Sequence, residues 1–243
     1  MSSRLSKQRH FAILNERIVS CRLCPRLVAY REEVARTKRR AYREETYWGR
    51  PVTGFGDLRA ELLILGLAPA AHGANRTGRI FTGDRSGDFL YARLYDAGFA
   101  SQPTSRNRQD GLALRGAFIT ATARCAPPGN KPLPVEIASC RPYLETELDL
   151  LHPRAVLALG RIAFDGYLKL LLDRGQIRSR SKYVFRHGAA FALPGGLPRL
   201  FAAYHPSQQN TQTGRVTPVM YESLLVTIRR YLHRRAPMKP QRK

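Results

Sequence analysis

Short apolar runs alternate along the chain with longer segments of helical period. Four short runs are nearly continuous in apolar residues, which predicts strands that are covered on both faces. They lie at 61–67, 117–121, 155–160 and 199–204. Strands that alternate with helices are typical of an α/β domain with a mainly parallel sheet.

The segments around these strands predict helices. Residues 86–97 place Phe89, Leu90 and Leu94 on one face, and residues 134–151 open with a proline in the first turn. Further helices are expected at 161–173 and from Thr217-Pro218 to Tyr231, and the first 45 residues also look helical. We expect one domain over residues 1–243, with flexible basic termini at 1–10 and 235–243.

The charge balance favours anionic partners. The chain has 243 residues, and its 41 Lys and Arg against 18 Asp and Glu give a net charge of +23. A basic run at 36–43 is either a solvated helix face or a phosphate contact. The longest apolar segment is interrupted by Gly66 and Pro69, so we expect no membrane span and a cytoplasmic protein.

The four cysteines suggest a metal site. Cys21 and Cys24 form a CxxC pair, whereas Cys125 and Cys140 follow much later in the chain. In a reducing compartment, thiols at this spacing more often bind a metal than form disulfides. Four thiolates suit Zn²⁺ or an iron–sulfur cluster, and the spacing does not distinguish the two. The alternative is a set of unrelated buried cysteines.

Ligands of open parallel sheets bind beyond the carboxyl ends of the strands, so the loops there are candidate sites. The first, at 66–87, is rich in glycine. Arg76 and Arg79 could contact phosphates there, and Phe81 is an aromatic plate in a polar neighbourhood. Asp84 either caps the next helix or directs its carboxylate into a cleft. His72 could line the site or belong to a surface turn.

Two later loops carry polar side chains. Asn130, in the loop at 124–132, could read the edge of a flat heterocycle, although an Asn beside Gly and Pro is more often a turn residue. His205 ends the last core strand and could donate a hydrogen bond to an oxygen that becomes negative, or it could be a satisfied core histidine. The candidate phosphate contacts that follow it are Ser207, Gln208, Asn210 and Arg215.

Together these segments resemble family 5 of the uracil-DNA glycosylase superfamily, the iron–sulfur type of bacteria and archaea. The resemblance rests on the cysteine spacing and on three stretches: GLAPAAHGANRTGRIFTGDRSGDFLY at 66–91, RCAPPGNKPLP at 124–134 and HPSQQNTQTGR at 205–215. It implies a three-layer α/β/α sandwich around a four-stranded parallel sheet. One departure is Ile80, where the family usually has Pro.

The resemblance also implies roles for individual residues. Asp84 and His205 would be catalytic, Phe81 would stack on an extruded base, and Asn130 would lie near the base edge. Gly66, Ala68 and His72 would complete the base pocket, with no polar side chain at Ala68. The four cysteines would hold a structural [4Fe–4S] cluster.

The implied reaction is hydrolysis of the N-glycosidic bond of uracil, and of other deaminated bases, in DNA. We expect a monomer that associates with the nucleoid. A metal-stapled nucleic-acid binding protein without catalysis is the alternative that charge and cysteines alone support. A nuclease would need clustered carboxylates, and the loops offer mainly Asp84 and Asp88.

Overall fold

The structure, a computed structural model, describes residues 2–234, with side chains from residue 6 onward. Its α-helices are α1 (Ser2–Val19), α2 (Pro25–Thr37), α3 (Ala74–Thr77), α4 (Arg85–Asp96), α5 (Pro134–Leu151), α6 (Arg161–Asp173), α7 (Gln208–Gln212) and α8 (Pro218–His233). Its strands are β1 (Phe55–Gly56), β2 (Leu62–Gly66), β3 (Ala117–Ala121), β4 (Ala155–Leu159), β5 (Ala190–Phe191) and β6 (Arg199–Ala203).

The four predicted strands form the centre of one sheet, in the order β1-β3-β2-β4-β6-β5. The inner strands β3, β2, β4 and β6 are parallel, and Leu62 lies opposite both Ala117 and Ala155. Within residues 2–234, the prediction of four strands is corrected to six, because the two-residue strands β1 and β5 add one antiparallel strand at each edge of the sheet. A two-residue strand is too short to produce a hydrophobic period.

Successive residues of the inner strands alternate between two cores, as the pleat requires. Ile64 and Leu157 face a core that contains residues of α4 and α8. Leu63 and Val156 face a second core that contains residues of α1, α5 and α6. Helices therefore cover both faces, and the predicted three-layer α/β/α sandwich is confirmed.

The main helices begin where side-chain or proline signals predict. Thr217 accepts a hydrogen bond from the amide of Met220 at the start of α8, and prolines open α5 and α8. Helix α1 begins at Ser2, within the segment 1–10, whose flexibility stays a prediction. Residues 235–243 lie outside the described part. Among the described helices, none is long and apolar enough to cross a membrane.

A buried ion pair joins the end of β3 to α5. Arg124 Nη2 donates to Glu147 Oε2 at 2.6 Å, and the Thr120 hydroxyl donates to the same oxygen at 2.6 Å. Both charged side chains are almost fully buried. A charge in this position depends on its partner, because water does not reach it.

Replacing Glu147 by Gln is therefore expected to leave the Arg124 charge without a partner. We expect the variant to lose about 3 to 5 kcal/mol of unfolding free energy, the range for breaking a buried pair. Urea unfolding followed by circular dichroism measures this. The control is Asp149→Asn on the same helix, whose side chain is exposed. Equal midpoints for the two variants would show that the buried pair does not stabilise the fold.

Candidate active site

A cavity of about 480 Å³ opens at the carboxyl ends of β2 and β6. The loops that follow β2, β3 and β6 meet there, although they are far apart in the chain. Seven of the predicted site residues line this cavity: Ala68, Phe81, Asp84, Asn130, His205, Ser207 and Gln208. The structure thus brings the predicted catalytic, base-binding and loop residues to one place.

Phe81 is fixed by close packing at the end of β2. Its backbone has φ +52°, a left-handed conformation that is uncommon for a bulky residue. A Cβ built on Gly66 would lie 2.9 Å from Phe81 Cε2, so only a glycine lets the ring approach the strand this closely. The ring stacks on His205, with centroids 5.7 Å apart and planes 30° from parallel. Gly66 therefore shapes the cavity without lining it.

Asp84 caps α4 and lines the cavity at the same time. Its Oδ1 accepts a hydrogen bond from the amide of Gly87 at 2.9 Å. Its Oδ2 lies beside Gly73, where an added Cβ would come within 2.0 Å of it. The positive end of the α4 dipole stabilises negative charge at this position. The two interpretations of Asp84 are compatible, since one oxygen is used by the cap and the other is left for chemistry.

His205 is held between Phe81 and the loop that follows it. Asn210 Nδ2 donates to the His205 carbonyl at 2.8 Å, and Ser207 caps α7 by accepting from the Asn210 amide. Burial lowers the pKa of His205, and the charge of Asp84 offsets this only in part. The imidazole is therefore neutral at pH 7. The unfolded chain therefore binds a proton at His205 more readily than the folded protein does. As a result, the free energy of unfolding decreases as the pH falls below the usual histidine pKa.

Asn130 lies at the outer edge of the cavity. It ends the 3₁₀ turn Pro128–Asn130 with φ +57° and is exposed. It is thus both a turn residue and a cavity residue, as the two sequence interpretations allowed. Its exposed amide is available to a ligand that enters from solvent.

Arg76 is buried, so it is not available for the phosphate contact that the sequence predicted. It is 8% exposed, and its guanidinium donates to the carbonyls of His72 and Gly83 and to the carboxylate of Glu45. It also lies over the Tyr42 ring, 3.9 Å from the centroid. The prediction of a phosphate contact is corrected, because these partners already use its donors.

Arg79 is corrected for the same reason. It is 5% exposed and forms two hydrogen bonds to Asp110, at 2.8 and 2.6 Å. Its other donors reach the hydroxyls of Thr82 and Ser105. Burial alone would raise the pKa of Asp110, but the bonds from Arg79 and from backbone amides lower it well below its usual range. Asp110 is therefore ionised, and the pair braces the loop that carries Phe81.

Two further predicted residues lie outside the cavity lining. The ring of His72 bonds through Nδ1 to the Tyr47 hydroxyl at 3.1 Å, so its predicted place in the base pocket is corrected to a loop contact. Burial and the charges of Arg39 and Arg76 lower its pKa. Arg215 is exposed, with its guanidinium 4.8 Å from the centroid of the Tyr204 ring. Its phosphate contact stays a prediction.

Among the polar residues that line the cavity, the sequence analysis did not predict Arg85, Ser86 and Gln209. Arg85 is exposed beside Asp84 and brings a positive charge to the rim. Its position next to the predicted catalytic carboxylate was the available signal. Gln209 lies within the third stretch, between two residues that the sequence did predict.

The four cysteines are free of disulfides, and their thiols are close enough to interact electrostatically. Cys21 and Cys24 occupy the turn between α1 and α2, whereas Cys125 follows β3 and Cys140 belongs to α5. Burial raises the pKa of Cys140, and the nearby Cys24 and Cys21 raise it further. Within residues 2–234, no three His, Cys, Asp or Glu side chains are grouped to hold a single metal ion.

Arg31, which the sequence did not single out, lies against this set of thiols. It is 2% exposed, and its Nη1 donates to Cys125 Sγ at 2.9 Å. Its Nε is buried without a partner in the described part of the chain. Glu32 Oε1 lies 3.7 Å from Arg31 Nη2, and thiolates that ligate a metal group would add negative charge on the side of Nη1. The donor set therefore fits an anionic, thiolate-bound group.

Comparison with known proteins identifies relatives over most of the chain. A family model described as the uracil DNA glycosylase superfamily matches residues 53–229. The chain is 54% identical to the type-5 uracil-DNA glycosylase of Thermus thermophilus over 214 residues. This alignment covers 88% of the chain and 94% of the relative. It is 54% identical to that of Mycobacterium bovis over 213 residues, covering 87% and 78%. The identity to that of Pyrobaculum aerophilum is 44%, covering 88% of both.

The Arg79 brace predicts a proteolysis result. Asp110→Asn removes the charge that pairs with Arg79, and we expect the segment 101–111 to open more often. A local loss of about 1.4 kcal/mol raises the open fraction about tenfold, and breaking a buried pair typically costs more. We therefore expect trypsin to cleave after Arg106 and Arg108 at least about tenfold faster than in the parent protein.

Mass spectrometry of timed digests identifies the cleavage sites. Asp173→Asn, which removes a partly exposed ion pair with Lys169, is the control and should digest like the parent. Parent-like cleavage of Asp110→Asn at Arg106 and Arg108 would contradict the bracing role.

Proposed function

The chain belongs to the uracil DNA glycosylase superfamily, and we propose that it is a uracil-DNA glycosylase that removes uracil from DNA and leaves an abasic site. One observation supports this most strongly. Phe81 and Asp84, from the loop after β2, and His205, which follows β6, surround one cavity although more than 100 residues separate the two segments. A flat base that is turned out of a duplex needs a pocket in which it can stack on a side chain and meet polar groups at its edge.

Asp84 supports the attack on the sugar. Hydrolysis breaks the bond between the anomeric carbon and the base nitrogen, and positive charge develops on the sugar as the base departs. The Oδ2 of Asp84, which the helix cap leaves free, is suited to stabilise this charge and to take a proton from the attacking water. The oxygen of that water forms the new bond to the anomeric carbon, which completes the hydrolysis.

His205 supports the departure of the base. Uracil leaves as an anion, with charge on a carbonyl oxygen. A neutral imidazole has one N–H to donate to that oxygen, and burial keeps His205 neutral at pH 7. Stacking on Phe81 and the hydrogen bond from Asn210 to its carbonyl fix the residue that carries this donor.

The amide side chains that line the cavity, Asn130, Gln208 and Gln209, are all exposed. An exposed amide that a ligand leaves unpaired can bond to water instead, so these amides discriminate only weakly between related bases. We propose that other deaminated bases are accepted beside uracil.

The cysteines hold a [4Fe–4S] cluster in this proposal. Such a cluster is bound by four Cys thiolates, each of which can ligate a different iron, so its ligands need not converge on one ion. Three chain segments supply the thiols, and Arg31 places positive charge beside Cys125. The cluster would be structural, since it would tie the turn between α1 and α2 to the segments that follow β3. Zinc is the alternative that the thiol set also allows.

The catalytic assignment predicts the effect of two substitutions. Asp84→Asn is expected to slow single-turnover release of uracil by at least about a hundredfold, the scale of a lost general base. His205→Gln is expected to cost about 10² to 10³ in rate with a small change in DNA binding, as for an oxyanion donor. Alkali-induced strand breakage of a duplex with one uracil reports the abasic product.

Asp88→Asn is the matched control, because Asp88 lies on the same helix and does not line the cavity. It should keep the parent rate. Parent rates for Asp84→Asn would remove the catalytic role of Asp84. A parent protein that binds the duplex and releases no uracil would support the non-catalytic binding protein instead.

The cluster predicts the metal content of the purified protein. We expect about four iron atoms and as much acid-labile sulfide per chain, with a brown colour. Cys125→Ser should lose most of the iron, whereas Ser20→Ala, beside Cys21, should keep it. Elemental analysis and visible absorbance measure both. One zinc per chain and a colourless protein would contradict the proposal.

A further inference from the structure

Two segments flank the loop that carries Phe81 and Asp84. One is 38–50, between α2 and β1, and the other is 101–111, between α4 and β3. Together they carry six exposed arginines, which we call the arginine surface: Arg39, Arg40, Arg43, Arg50, Arg106 and Arg108. Neither segment contributes to the cavity lining. The sequence analysis left the role of the first open.

Segment 38–50 is attached to the start of the active-site loop. The Trp48 amide donates to the Arg76 carbonyl at 2.8 Å, and the Gly49 amide donates to the Asn75 carbonyl at 3.0 Å. The Tyr47 hydroxyl bonds to His72 Nδ1. The buried Arg76 adds its ion pair with a side chain of the same segment, Glu45.

Segment 101–111 is attached to the end of that loop. Arg79 reaches Asp110, and the hydroxyls of Thr82 and Ser105 lie 2.6 Å apart. The Gly83 amide, one residue before Asp84, donates to the Ser105 carbonyl at 3.3 Å. The exposed Arg106 and Arg108 are therefore held close to the catalytic loop.

The two segments meet at Trp48. The guanidinium of Arg50 lies 5.8 Å from the centroid of the Trp48 ring, and that of Arg108, from the other segment, lies 4.4 Å from it. The indole also packs on Gly78, in the loop between them. The segments thus form one continuous surface beside the cavity instead of two independent loops.

The charges of this surface are not neutralised. Within residues 2–234, none of the six guanidinium groups forms an ion pair with a carboxylate or donates a hydrogen bond. Arg76 and Arg79, in contrast, are buried and fully engaged, although burying a guanidinium carries a large desolvation penalty. The buried Arg76 and Arg79 thus hold in place two segments whose exposed arginines form no ion pair in the described part of the chain.

We propose that the arginine surface binds the phosphate backbone of duplex DNA beside the extruded nucleotide. The proposal rests on the proposed function for its ligand and extends it to a specific surface. Exposed guanidinium groups whose N–H donors form no hydrogen bond in the described part of the chain match phosphate oxygens in geometry and charge. Their attachment to the loop of Asp84 fixes the DNA backbone relative to the cavity. Arg76 and Arg79 act as positioning residues, because their ion pairs with Glu45 and Asp110 attach the two segments to the loop.

The test measures salt dependence of binding. The logarithm of the affinity falls with the logarithm of salt concentration, and each lost phosphate contact reduces the slope by about one. We expect Arg39→Gln/Arg40→Gln/Arg43→Gln and Arg106→Gln/Arg108→Gln each to bind a fluorescent duplex more weakly at 100 mM salt, with a shallower slope. The duplex carries one uracil. In this assay the parent and all variants also carry Asp84→Asn, so that the uracil is not released during the binding measurement.

The matched control is Arg59→Gln/Arg115→Gln. Both arginines are exposed, but they precede β2 and β3, at the opposite edge of the sheet from the cavity. This variant removes the same charge as Arg106→Gln/Arg108→Gln and should keep the parent slope. Equal slopes for the surface and control variants would overturn the proposal, since they would show that the surface is only solvated charge.

A second readout separates this proposal from the proposed function. With Asp84 intact and enzyme in saturating excess, the surface variants should release uracil at the parent single-turnover rate. Loss of that rate at saturation would show that the arginines act in the chemistry and would overturn the proposal as stated. A parent that releases no uracil, with slopes reduced only in the surface variants, would overturn the proposed function and leave the surface supported.

Discussion

The packing of the Phe81 ring between the end of β2 and His205 is the contact on which the cavity depends. It requires a left-handed backbone at Phe81, which is unfavourable for an aromatic residue. Neighbouring contacts fix it: the Tyr91 hydroxyl donates to the Ile80 carbonyl at 3.0 Å, and Gly87 leaves room for the carbonyl of Phe81. Because these contacts also set the start of α4, the position of the ring and that of the Asp84 carboxylate are determined together.

Positive charge has two separate uses around this loop. The buried Arg76 and Arg79 make many directed hydrogen bonds from one rigid group, and Glu45 and Asp110 neutralise them from distant parts of the chain. The exposed arginines beside them keep their charge for a ligand. The net charge of +23 is consistent with a polyanionic partner, but only the structure separates the cations that build the site from those that remain free.

The features that could be predicted from the sequence are those that depend on the local pattern of apolar and polar residues. The buried strands and helices such as α5 follow from apolar period and proline position, and the carboxyl-edge rule placed Asp84 and His205 together. What it missed depends on partners far along the chain. Arg79 is buried because Asp110, 31 residues later, reaches it, and Arg31 lies beside Cys125 across 94 residues. No periodicity or composition encodes such pairs, and an arginine in a glycine-rich loop looks like a phosphate ligand until its partner is known.

The central claim is that an extruded uracil is bound between Asp84 and His205 at the carboxyl edge of the sheet. A crystal structure of the protein with a duplex that carries one 2′-fluorinated deoxyuridine, which resists cleavage, tests this most directly. The account predicts the base in the cavity, against Phe81, with the anomeric carbon facing Asp84 and a uracil carbonyl oxygen within hydrogen-bonding distance of His205. A base that stays stacked in the duplex, or that enters another part of the protein, would contradict it.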